Sequence, residues 1–171
     1  CMRDAVVTTV SFTDCRFYKL DARRAKISGN LYLIECSIVR GLNLHNCEIG
    51  GYLSVRGCDI FSEEYNPAEI VESLRFDLDQ DHELRIADDI CAIDAEAISV
   101  KDSIELSRSD SGRPLRAFGQ VSLERAHVGG NLDCRGAAIV AAINPPEIDD
   151  DQRIALHAAA IEVGGSVFLG E

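Results

Sequence analysis

The apolar positions of this chain recur in a fixed order. From Leu31 to Ile60 the sequence reads LYLIECSIVRG, LNLHNCEIGGY, LSVRGCDI, and four positions repeat every eleven residues. The first holds Leu31, Leu42 and Leu53; the second holds Leu33, Leu44 and Val55. The third holds Cys36, Cys47 and Cys58, and the fourth Ile38, Ile49 and Ile60. Within a unit the apolar residues fall at positions 1, 3, 6 and 8, two short runs of period 2, which is the strand signature. A helix would need them at i, i+3, i+4 and i+7, and Arg, Asp and Asn at the skipped positions deny it that pattern. Each unit is therefore predicted as two brief strands joined at a corner, followed by a second corner.

The second corner distinguishes alternate units. Ser28-Gly29 stands ahead of Leu31 and Gly50-Gly51 ahead of Leu53, whereas Leu20 and Leu42 have no such pair; Gly129-Gly130 and Gly164-Gly165 repeat the feature. Alternation makes the 22 residues from Leu31 to Leu53 the structural period, with four short sides and two units per coil. An eleven-residue coil is the competing geometry, but it calls for disulfide-braced corners that one Cys per unit does not supply. Glycine at the corner is read as relief of a positive φ. Coils stacked as parallel strands about 4.8 Å apart would align Cys15, Cys36 and Cys58 in one ladder and Ala25 with Cys47 in another.

The register extends back to Val10, with one unit a residue short, and forward from Ile93 to Leu169; residues 1–9 form a degenerate first strand. An acidic insertion, 61–89, interrupts it. There Pro67 followed by AEIVESL predicts a helix start with Ile70, Val71 and Leu74 on one face. Polar loops are expected at 107–117 and 140–155, the latter carrying Asp149 to Asp151, read as a solvated bend. Insertions in solenoids map to one face. The whole, 1–171, reads as a single all-β domain. It starts on Cys1 and stops within a unit, so a piece of a longer chain is expected.

Read as small residue, any residue, bulky aliphatic and two corner residues, Cys36-Ser37-Ile38 and Ala126-His127-Val128 resemble the central positions of pentapeptide-repeat proteins. The resemblance implies a right-handed, four-sided parallel β-helix. The chain departs from that family by alternating five and six residues per side, as an eleven-residue variant would. The stretches GGNLDCRGA and GGSVFL are also similar to repeats in large uncharacterised bacterial proteins.

Composition adds three constraints. There is no Trp and one Met, so Leu, Ile, Val, Ala and Cys must fill a narrow interior. The net charge of −12 opposes direct binding to nucleic acid or an anionic membrane. The seven cysteines include no CxxC pair and no Cys/His cluster at zinc-ligand spacing, so they are read as core thiols in a reducing compartment, with a cytoplasmic location and no metal site. No run is long enough to span a bilayer.

Catalytic signatures are missing as well, and no catalytic, cofactor-binding or metal residue is assigned. His45, His82, His127 and His157 are scattered, and no nucleophile motif, P-loop or dinucleotide fingerprint occurs. The expectation is a non-catalytic scaffold for protein–protein interaction with an unknown protein partner or with itself. The alternatives are a self-assembling filament or shell element, an acidic nucleic-acid mimic of the kind some pentapeptide-repeat proteins present to DNA gyrase, and a carbohydrate-active β-helix enzyme. The last would need acidic residues stacked in a groove, for which Asp94 and Asp133 are candidates.

Overall fold

The computed structural model describes residues 1–62, 91–140 and 154–170. Among them there is no helix, and the strands form four parallel sheets. Sheet 1 stacks Val6–Val7, Lys26–Ile27, Glu48–Ile49, Ser99–Val100, His127–Val128 and Glu162–Val163. Sheet 2 stacks Val10–Thr13, Leu31–Ile34, Leu53–Arg56, Ile104–Ser107, Leu132–Asp133 and Val167–Phe168. Sheet 3 stacks Arg16–Phe17, Ser37–Ile38, Asp59–Phe61, Leu115–Phe118 and Ala137–Val140. Sheet 4 stacks Leu20–Asp21, Leu42–Asn43, Cys91–Asp94, Gln120–Ser122 and Leu156–His157. The chain visits sheets 1, 2, 3 and 4 in turn and begins again, the arrangement of a parallel β-helix solenoid.

Register follows the apolar columns. Leu31 pairs with Leu53 on one side and Val10 on the other, while Leu42 lies in sheet 4 beside Leu20 and Ile93. Because side chains alternate across a strand, positions 1, 3, 6 and 8 all turn inward. Leu31, Leu33, Cys36, Ile38, Leu42, Leu44, Cys47, Ile49, Leu53, Val55, Cys58 and Ile60 are each at most 2% exposed and belong to one continuous core. The thiol ladder forms as its spacing predicts: the Cys36 amide donates to Cys58 Sγ at 3.3 Å.

Three expectations need correction. The paired glycines do not adopt positive φ. That conformation belongs to the other corners, at Asp14, Arg24, Glu35, Asn46, Ala97, Arg125 and Ala160, with Gly57 and Gly136. The glycine pairs answer instead to close approach, since a Cβ on Gly50 would sit 2.2 Å from the Ser28 carbonyl oxygen and one on Gly129 2.0 Å from that of Lys101. Second, residues 107–117 are not wholly loop. Ser107 ends a sheet 2 strand, and Leu115–Phe118 is a strand whose Leu115 and Ala117 are fully buried. Third, Phe61 and Val140 belong to sheet 3 strands, and Phe61 stacks on Phe118 with centroids 4.8 Å apart. The degenerate first strand expected within residues 1–9 is Val6–Val7, which pairs with Lys26–Ile27.

The helix expected after Pro67 lies outside the described residues, as do His82 and Asp149 to Asp151. Residues 63–90 and 141–153 each fall, in chain order, between a sheet 3 strand and a sheet 4 strand. Among the described residues no helix is long and apolar enough to cross a membrane.

Candidate functional site

The turn from sheet 4 into sheet 1 is built the same way in successive coils. A polar residue ends the sheet 4 strand, and its side-chain oxygen accepts the amide two residues on: Asp21 from Arg23 at 3.2 Å, Asn43 from His45 at 3.1 Å, Asp94 from Glu96 at 3.2 Å. This local bond competes with further strand pairing and starts the turn. The next residue (Arg24, Asn46, Ala97) takes positive φ. The inward residue after it then donates back across the turn, Cys47 to the Leu44 carbonyl at 2.9 Å and Ile98 to that of Ala95 at 3.3 Å. The device projects two polar side chains per coil and stacks them in columns.

One step of this column brings three metal-ligating groups together. The donor atoms of His45, Asp94 and Glu96 all lie within 4.8 Å of one another. His45 Nδ1 is 3.9 Å from Asp94 Oδ1 and 3.7 Å from Glu96 Oε2. The side chains keep 33%, 18% and 27% of their accessible surface respectively, so the cluster is half-sunk with one side open. Asn43 Nδ2 donates to Asp94 Oδ2 at 3.0 Å, and the Arg125 guanidinium pairs with Glu96 from the following coil.

The repeat supplies its own comparison. Asp21 is held by Arg3 at 2.7 Å and by Arg23, the residue at the place Glu96 takes beside Asp94. Asp133 is held by Arg135, whose hydrogen bond keeps that carboxyl below its ordinary value. At Asp59 burial works to raise the carboxyl, and the bonds from Arg116 and Arg113 outweigh it and leave it lowered. Asp94 alone of these four has no arginine on it among the described residues. Burial pushes its carboxyl up, against the opposing pull of His45 and the Asn43 amide.

The glycine pairs Gly50-Gly51, Gly129-Gly130 and Gly164-Gly165 line the turn from sheet 1 to sheet 2 and carry no functional group. Asp94 and Asp133, considered as a stacked acidic pair, lie in different sheets, Asp94 beside Asn43 and Ser122 and Asp133 beside Glu105 and Phe168. The His45 cluster escapes a sequence reading because the insertion separates its members. The only signal was the polar residue at each sheet 4 strand end, with a second one two residues later.

Fold and site together define a parallel β-helix solenoid with a polar column at one corner. The chain matches no protein-family model, no curated protein and no solved structure.

Proposed function

We propose that the chain is a right-handed, four-sided parallel β-helix of the pentapeptide-repeat type, with about 22 residues per coil, as the Leu31–Leu53 pairing supports, and that it acts as a non-catalytic scaffold for a protein partner. The observation that carries the reading is the outer face of sheet 2. Its strands run in register, and its outward column is Ser11, Tyr32, Ser54, Glu105, Asp133 and Phe168, with Ser54 covered and bonded to Glu105. Tyr52 flanks it half-exposed, and Arg135 lies 4.6 Å over the Phe168 ring. Six strands about 4.8 Å apart hold these groups on a rigid flank roughly 24 Å long. Tyr, Phe and Arg on such a surface are the residue types that protein interfaces favour.

Charge on the coils favours a protein partner over nucleic-acid mimicry. Acids there are interleaved with bases, as in Lys26–Glu48, Arg24–Asp4 and Arg135–Asp133. A reducing, cytoplasmic setting is supported by seven free cysteines, four of them buried. The test is affinity capture with the wild-type chain and with a Tyr32→Asp, Tyr52→Asp double variant of matching thermal stability. A protein retained by the first and lost by the second supports the scaffold; identical captures, or none, overturn it. If the same substitutions abolish reversible self-association in sedimentation, the partner is a second copy.

A further inference from the structure

We propose that His45, Asp94 and Glu96 bind one divalent transition-metal ion of the Zn²⁺ class. Three observations converge. The donor set, one imidazole and two carboxylates, suits such ions. Tetrahedral ligands with metal bonds near 2.1 Å stand about 3.4 Å apart; the 3.7 and 3.9 Å separations from His45 Nδ1 need a few tenths of an ångström of closure, and the two carboxylates, within 4.8 Å of each other, need at most about 1.4 Å. The open side leaves room for water to complete the coordination.

The second observation is the local charge. Arg23 and Arg135 occupy the position two residues after Asp21 and Asp133 and neutralise them; at Asp94 that position holds Glu96, a second carboxylate. A half-sunk carboxylate beside another is disfavoured unless a cation joins them. Among the described residues Arg125 pairs with Glu96 and Glu124 and no guanidinium meets Asp94, so the Asp94 charge is the one left for the ion.

The third observation is support around the donors. Asn43 fixes one Asp94 oxygen, the Glu96 amide fixes the other, and Arg125 steadies Glu96. Such outer contacts orient ligands and tune affinity. They rest on the turn itself, which places His45 and Glu96 at equivalent points of successive coils.

The test is calorimetric titration of the reduced chain with ZnCl₂, in a Cys1→Ser background because Cys1 is exposed. The expected result is one site per chain. Glu96→Gln, Asp94→Asn and His45→Ala should each raise the dissociation constant at least tenfold. His157→Ala, at the neighbouring Glu124 contact, should leave it unchanged. Co²⁺ in place of Zn²⁺ should give ligand-field bands without a thiolate charge-transfer band. No uptake beyond that of the triple variant overturns the proposal, as does uptake with a thiolate band that survives Glu96→Gln. Should His45→Ala fail to fold, the two isosteric variants decide.

Discussion

Asp59 ties the loop of residues 108–114 to the solenoid, and replacing it with Asn should loosen that loop measurably. Its carboxylate is almost fully buried in a sheet 3 strand. It accepts two bonds from Arg116, at 2.6 and 2.8 Å, and one from Arg113, which also reaches the Glu35 carbonyl at 3.4 Å. Breaking a buried ion pair costs about 3–5 kcal/mol. Arg113 and Arg116 keep 35% and 49% of their side-chain surface, so solvent screens part of that and about 2–3 kcal/mol should remain. In a chain of this length that corresponds to a fall in melting temperature of about 4–12 °C. The Asp59 carboxyl is lowered in the fold, so its contribution is complete above the unfolded value of about 3.9 and disappears as pH falls through the folded value. The wild-type melting temperature should therefore approach that of Asp59→Asn in acid and separate from it near neutrality. Circular-dichroism melts across pH test the magnitude. Amide exchange at Ser109 and Gly112, whose N–H groups are bonded within the loop, tests the location. Equal melting temperatures at pH 7, or unchanged loop exchange, would refute the reasoning.

Three other outcomes follow from the corners and the core. Gly129→Ala should destabilise by about 1–3 kcal/mol in a thermal melt, because its Cβ would meet the Lys101 carbonyl oxygen; a neutral result would mean that the corner opens freely. Ala97→Gly, at φ 52°, should be neutral or stabilising by up to about 1 kcal/mol in urea unfolding, whereas a clear loss would contradict the reading of that turn. Iodoacetamide at pH 8 followed by mass spectrometry should label Cys1 first and spare Cys36, Cys47, Cys58 and Cys134; the Cys58 contact lowers the Cys36 thiol to about 6, and complete burial is what shields it. Burial pushes the Cys47 thiol to about 12 and that of Cys134 to about 11, and the Cys36 contact together with burial raises Cys58. Rapid labelling of Cys47 would show that the coils open.

Much of this architecture was legible because an inward position tolerates so few residue types. Leu31, Leu42 and Leu53 advertise their columns, and the alternate glycine pairs separate Leu31's sheet from Leu42's before any coordinates are known. The reason given for those glycines was wrong for a physical cause. Sequence records that a Cβ is missing, but a positive φ and a close approach by the next coil produce the same residue. The backbone φ and the 2.0 Å from a Gly129 Cβ to the Lys101 carbonyl oxygen separate the two. The columns that do carry positive φ are filled by Arg24, Glu35, Ala97 and Arg125 among others, a mixture with no compositional signal. Polar strands mislead in the same way. SRSDSGRPLRA reads as a loop by its Gly, Pro and Ser, yet Leu115 and Ala117 are core residues contributed by a strand only four residues long.

The His45 cluster shows why a repeat protein can hide a site from its own sequence. In a solenoid, neighbours in space are separated by one coil, and that separation is constant only where nothing has been inserted. Asn43 pairs with Asp94 in sheet 4 across 51 positions, whereas Leu31 and Leu53, in sheet 2 with no insertion between them, are 22 apart. An insertion between sheets 3 and 4 leaves the columns intact and rewrites every spacing that crosses it. Metal-ligand motifs depend on short fixed spacings, so a donor set divided by such an insertion matches none of them. The turn that ends each sheet 4 strand is the constant feature. It fixes which residue follows the polar cap by two positions, and Arg23, His45, Glu96 and Glu124 are the successive occupants of that place. A column that begins with a base and continues with an imidazole and two acids changes its charge along the solenoid axis, and the step from His45 to Glu96 is where a cation would be held.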